Sequence, residues 1–139
     1  MTFDLDKKHF QGENRITLSS LKDDFNECVL HAEELVVSAV LDSNDNPLEF
    51  KQTEKHLIVA LSRTFDYGET VTLTVKYQAT DPKHDLFFDK EGPANPQMVS
   101  AISWPDNAHH WFPCYDYPHD KVTNEMIITV KDRHKVLSK

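Results

Sequence analysis

The stretch Thr70-Val71-Thr72-Leu73-Thr74-Val75-Lys76-Tyr77 alternates strictly, with Val71, Leu73, Val75 and Tyr77 on one side and Thr70, Thr72, Thr74 and Lys76 on the other. Successive side chains of a strand point to opposite faces, so a period of two fits a half-buried β-strand and no helix. Met126, Ile128 and Val130 repeat the pattern against Ile127, Thr129 and Lys131, which predicts a strand over 125–131. Leu57, Val59 and Leu61 repeat it again, and the apolar Ile58 and Ala60 on the second face point to an interior strand. Ile16 and Leu18 mark a weaker strand, and Phe3 and Leu5 part of another.

Turn chemistry separates these runs. Asp42-Ser43-Asn44-Asp45-Asn46-Pro47 gathers residues that bond their own backbone or preset φ. Asp66-Tyr67-Gly68 puts a glycine where a positive φ is needed. Asp81 to Gln97, with Pro82, Gly92, Pro93 and Pro96, reads as a long irregular connection. Short strands spaced by turns argue for an antiparallel sandwich. One region is open on periodicity alone. Leu21, Phe25, Cys28, Val29, Ala32, Leu35, Val36 and Ala39 fit a helix capped by Ser20, but also two short strands over 27–31 and 36–41.

The chain's 139 residues suit a single domain spanning 1–139. Its 23 acidic residues against 15 basic ones give a net charge of -8, which repels phosphate backbones and argues against nucleic acid as a partner. Lys131 to Lys139 interleaves Asp132 with its cations and reads as a solvated terminus. No apolar run approaches the ~18 residues that cross a bilayer, and the opening Met1-Thr2-Phe3-Asp4-Leu5-Asp6 is no signal peptide. A soluble chain with no membrane partner is therefore expected. Cys28 and Cys114 are too few for a disulfide framework, fit no metal motif, and read as free thiols. Three glycines form no phosphate cradle.

The most unusual stretch is Trp104 to Lys121, W-P-D-N-A-H-H-W-F-P-C-Y-D-Y-P-H-D-K. Its aromatics suit a plug for the open end of a sandwich, with prolines fixing a rigid path. That reading favours burial of Trp111, Phe112 and Tyr115 but leaves the order of the string unexplained. Read as an extended segment, His109 and His110 point to opposite faces, so no metal ligand is expected from the pair. Asp116 is expected to bond nearby backbone N–H groups rather than act as an acid or base.

Ala108-His109-His110-Trp111-Phe112-Pro113-Cys114-Tyr115-Asp116-Tyr117-Pro118, followed by Asp120-Lys121, resembles the A-R-x-x-F-P-C-x-D-x-P segment and later Lys of the aminopeptidase N and leukotriene hydrolase family of zinc metallopeptidases, the gluzincins. Gly68-Glu69-Thr70 through Tyr77 resembles that family's G-E-x-φ-x-φ-x-φ-x-Y strand, and Glu34 to Val40 resembles its paired strands. The resemblance covers nearly the whole chain and tips the ambiguous region towards β. It implies an all-β, elongated, saddle-shaped antiparallel β-sandwich, the amino-terminal domain of a larger aminopeptidase, truncated at both ends, with more strands after Lys139. Its partners would be the catalytic domain of the same chain, whose groove it walls, and the peptide substrate. His110, Trp111, Phe112, Pro113, Cys114, Asp116 and Lys121 would be structural members of the motif.

The family's zinc is held by H-E-x-x-H and a later Glu in the catalytic domain, with a Glu base for the metal-bound water. Neither H-E-x-x-H nor G-x-M-E-N occurs here; His31-Ala32-Glu33-Glu34-Leu35 is the nearest string and fails. The resemblance therefore implies no catalytic residue and no cofactor in this chain, with zinc in the parent. It also implies a Q-x-E or Q-x-Q element for the substrate α-amine, but those positions fall on Ile102 and Trp104, and the motif Arg is His109. Trp104 is either groove wall or core, with core favoured by the usual burial of Trp. Asp106 or Asn107 are candidates to replace the lost polar groups, and Trp104 and Asp106 are the candidate substrate-facing residues. An inactive scaffold relative is the second reading, and an independent carbohydrate-binding sandwich the third.

Overall fold

In the computed structural model, which describes residues 1–89, 92 and 97–137, the strands form antiparallel sheets not closed into a barrel. In chain order they are β1 (Thr2–Asp4), β2 (His9–Ser19), β3 (Phe25–His31), β4 (Val36–Leu41), β5 (Phe50–Gln52), β6 (His56–Phe65), β7 (Thr70–Thr80), β8 (Leu86–Asp89) and β9 (Met98–Ala101), followed by a 3₁₀ turn over Ala108–His110. One sheet runs β1-β2-β7-β4 and a second β3-β6-β5, while β8 and β9 form a hairpin.

Strand β7 has the side-chain pattern its sequence dictates: Val71, Leu73, Val75, Tyr77 and Ala79 are buried and the intervening residues face outward. Those side chains meet Cys28 and Leu30 of β3 and Leu57 and Val59 of β6 in one core, so the two sheets make an all-β sandwich. The apolar second face of Ile58 fits the central place of β6 between β3 and β5. The region 21–39 resolves into β3 and β4, as the resemblance implied. Gly12 pairs with Tyr77, and a Cβ there would lie 2.6 Å from the tyrosine ring, so only glycine lets the buried ring cross β2. Gly68 adopts φ 81 in the turn before β7, as its position predicts. Asp42 accepts the backbone N–H groups of Asn44 and Asn46 at 2.8 and 2.9 Å, which accounts for the second turn.

Three expectations are corrected. The segment 81–97 is not wholly irregular: Leu86–Asp89 pairs with Met98–Ala101, because Leu86 and Phe88 reach the core from alternate positions. Lys90, Glu91 and residues 93–96, including Pro93 and Pro96, lie outside the described residues, as do Ser138 and Lys139. Residues 125–131 form no regular strand. They run parallel to β1 through a single bridge, Thr129 to Thr2, with Phe3 N–H donating to the Thr129 carbonyl at 3.2 Å. Ile128 and Val130 pack against the core, but Met126 and Ile127 are exposed. His109 and His110 sit in the 3₁₀ turn rather than an extended segment, with rings 4.3 Å apart, so the premise that they face opposite sides fails. No helix among the described residues is long and apolar enough to cross a membrane.

Candidate functional site

The segment from β9 to Asp116 is clipped to the sandwich at defined points. His31 and Cys114 exchange backbone hydrogen bonds of 2.8 and 3.1 Å, so the end of β3 anchors the motif. Pro113 is fully buried, and its carbonyl accepts the Asn14 side-chain amide of β2 at 2.7 Å. This polar middle of β2 thus has a purpose its sequence does not advertise. Trp111 stacks edge-on against Phe112 at 4.7 Å, both pack on the core, and its indole N–H donates to Ser103 Oγ at 2.8 Å. Burial pushes the Cys114 thiol up to about 12, with the Asp116 carboxylate adding to it, and burial lifts Cys28 to about 11. Both cysteines are free thiols.

Asp116 bonds the backbone as expected and also takes a side-chain partner. One of its oxygens accepts the His109 N–H at 3.1 Å and lies 2.6 Å from His109 Nδ1. His109, at the position where the resembled motif has Arg, therefore engages the Asp of the same motif. The Asp116 N–H in turn donates to His31 Nδ1 at 3.2 Å. Desolvation holds the His31 imidazole below its ordinary pKa, assisted by neighbouring His109 and His56, which suits a neutral acceptor ring. His110 is buried, with Nδ1 3.0 Å from Asp85 Oδ2.

Around this turn the fold gathers residues that have no motif of their own. Glu33 N–H donates to the His109 carbonyl at 3.3 Å, and Glu33 Oε2 lies 3.7 Å from His109 Nε2. Glu34, in the left-handed region at φ 61, accepts the N–H groups of Lys83 and His84 at 2.8 and 3.2 Å and pairs with His84 Nδ1 at 2.6 Å. Burial alone would raise the Glu34 carboxyl, but these bonds outweigh it and lower its pKa. Asp85, Glu33, Glu34, His31 and His84 reach the motif through contacts between segments distant in sequence, so no local sequence signal could have found them. Glu33, His109 and His110 each offer a ligand atom within 4.8 Å of the others.

The candidate substrate-facing residues lie just before the turn. Trp104 is 80% exposed and Ile102 60%, which corrects the expectation of a core tryptophan. The Trp104–Pro105 peptide is cis. The segment rises off the sandwich between β9 and Asn107, whose amide donates to Asp85 Oδ1 and the Trp104 carbonyl, both at 3.2 Å. Asp106 is exposed beside them, and Lys121 is exposed further along. Tyr115, which the plug reading buries, is also largely exposed and stacks edge-on with Tyr117 at 4.9 Å. The plug reading holds only for Trp111 and Phe112.

The model of the peptidase M1 N-terminal domain matches residues 1–139. Protein TMA108 of Saccharomyces cerevisiae is 30% identical over 145 residues, covering 90% of this chain and 15% of that protein. An M1 zinc metallopeptidase from Deinococcus radiodurans superposes with a TM-score of 0.68 at 24% identity, over 82% of this chain and 26% of its own. Yeast LTA4 hydrolase does so with a TM-score of 0.67 at 20% identity, over 84% and 19%. At those identities the superpositions speak for the fold. The chain spans about a quarter or less of the length of each relative.

Proposed function

The chain belongs to the peptidase M1 N-terminal domain family, and from that premise we propose that it is a non-catalytic domain of a zinc aminopeptidase. It packs on the catalytic domain of the same polypeptide and forms one wall of the site that receives the amino end of a peptide. The observation that carries this reading is the exposure of Ile102 and Trp104. Two large apolar side chains standing in water, on a segment braced by Asn107, suit a surface that is covered in a larger protein. The segment also precedes the motif at the positions where the resemblance expects the amine-binding element. The catalytic zinc belongs to the parent's catalytic domain, because this chain has neither H-E-x-x-H nor G-x-M-E-N and His31-Ala32-Glu33-Glu34-Leu35 lies on a strand end rather than a helix.

The replacement of both amine-binding positions by apolar residues favours one second reading, a scaffold domain in a catalytically silent relative. The two separate by experiment. In the full-length protein, Trp104→Glu, which restores a carboxylate at the amine-binding position, should lower KM for amino-acid anilides several-fold while leaving kcat near its original value. An unchanged KM removes Trp104 from the wall. A full-length protein that is folded but hydrolyses no anilide supports the scaffold. The purified 139-residue chain alone should release no product, and measurable turnover by it would refute the non-catalytic assignment.

A further inference from the structure

We infer that Glu33, His109 and His110 form a zinc-binding site that fastens the loop between β3 and β4 to the 3₁₀ turn. The backbone already holds the three residues together. Glu33 N–H donates to the His109 carbonyl, His110 N–H to the Asn107 carbonyl, and the His31–Cys114 pair fixes the two segments alongside. The three ligand atoms lie within 4.8 Å of one another. In a tetrahedral site with bonds of about 2.0–2.1 Å, ligand atoms stand about 3.3 Å apart. Closing to that spacing takes side-chain rotation of Glu33 and of the two imidazoles, whose rings lie 4.3 Å apart.

The second observation is what stands behind the histidines. Asp116 Oδ2 is 2.6 Å from His109 Nδ1, and Asp85 Oδ2 is 3.0 Å from His110 Nδ1. A carboxylate on Nδ1 fixes the tautomer, orients the ring and leaves Nε2 with its lone pair free for a metal, the arrangement found behind metal-bound histidines. His109 Nε2 points to Glu33, 3.7 Å from Oε2. Two imidazoles and one carboxylate select a borderline transition ion such as zinc over calcium or magnesium, which prefer all-oxygen shells.

Shelter and access are both present. The side chains of His109 and His110 are 14% and 10% exposed, against 26% for Glu33, so one side of the cluster opens to solvent for entry and for a water ligand. Lys55 Nζ, 3.8 Å from Glu33 Oε2 and itself mostly in water, is the cation a zinc ion would displace. His31 is no ligand, since its Nδ1 already accepts the Asp116 N–H. The inference does not depend on the groove-wall reading above.

The test is zinc titration of the chelator-stripped chain by calorimetry, with the visible spectrum of the cobalt-substituted protein as a second readout. One equivalent of zinc and the intense d–d bands of tetrahedral cobalt are expected. His109→Ala and His110→Ala should abolish both. Asp116→Asn should weaken zinc about 10–100-fold by freeing the ring behind the metal. His119→Ala and His134→Ala should change nothing. Glu33→Gln alters a half-exposed side chain, keeps the fold, and should also weaken binding, so the test survives if a histidine variant unfolds. Absence of stoichiometric zinc in the unsubstituted 139-residue chain would overturn the site. Zinc held equally by Glu33→Gln and the original sequence, or lost on changing His119 or His134, would overturn it as well.

Discussion

Asp116 holds the motif turn through a single carboxylate, which makes Asp116→Ala the most informative truncation. The substitution removes the bond to His109 Nδ1 at 2.6 Å and leaves the His109 N–H, now 3.1 Å from Asp116, without its acceptor. The two side chains are 14% and 15% exposed, so water replaces these bonds poorly. A charge-assisted bond contributes about 1.5–3 kcal/mol and an orphaned buried donor costs about 1–3 kcal/mol, and partial hydration brings the sum to about 2–4 kcal/mol. With an unfolding entropy of about 2.1 cal/mol/K per residue, each kcal/mol lowers Tm by about 3–4 °C in a chain of 139 residues, hence a fall of about 7–14 °C. Asp116→Asn keeps an oxygen for the backbone N–H but loses the charge, and should cost about half as much. Urea unfolding with the slope m unchanged is the assay. A loss below about 0.5 kcal/mol for Asp116→Ala, or an Asn variant as damaged as the Ala variant, would refute the assigned bonds.

Three further outcomes follow from the same geometry. Gly12→Ala places a Cβ 2.6 Å from the buried Tyr77 ring and should destabilise by about 1–2 kcal/mol in urea unfolding, the overpacking cost less the entropy that alanine removes from the unfolded chain; a neutral result would mean that Tyr77 does not cross β2. His31 has a folded-state pKa below its ordinary 6.5, so the unfolded chain binds the proton more readily and stability falls as pH drops below about 6.5. His31→Gln should flatten Tm between about pH 7 and pH 5, and an unaltered slope would assign the acid sensitivity elsewhere. Burial raises the Cys28 and Cys114 thiols to about 11 and about 12, so both should react slowly with DTNB at mildly alkaline pH and rapidly once urea unfolds the chain; equal rates in both states would contradict that burial.

How far the sequence could be read depended on whether a segment's partners were local. β7 announced itself because every second residue from Val71 to Ala79 is apolar and buried against the other sheet. β2 showed only its Ile16 and Leu18 end, because Gly12-Glu13-Asn14-Arg15 carry no apolar alternation and their strand conformation comes from pairing with β7. The helix-or-strand ambiguity of residues 21–39 arose because an apolar spacing such as Cys28, Ala32, Leu35 satisfies a helical period by accident of two strands meeting at a turn. The hairpin of β8 and β9 hid behind the proline-rich stretch, and the parallel contact of Thr129 with Thr2 has no local signature. At the site, the motif residues Trp111 to Asp116 were legible as a string. The convergence of Glu33, Asp85 and His31 upon them was not, since it depends on which loops the two sheets bring to one end. Trp104 inverted its expectation because burial statistics for tryptophan describe whole proteins, and this chain covers a fraction of its relatives' length.

The central claim, that this is a docking domain whose exposed apolar segment is covered in the full protein, is most directly tested by hydroxyl-radical footprinting of Trp104 and Ile102. The two residues should oxidise readily in the isolated 139-residue chain and be protected several-fold in the full-length protein, and more strongly when a peptide substrate is bound. Equal oxidation in the isolated chain and the full-length protein, with and without peptide, would contradict it.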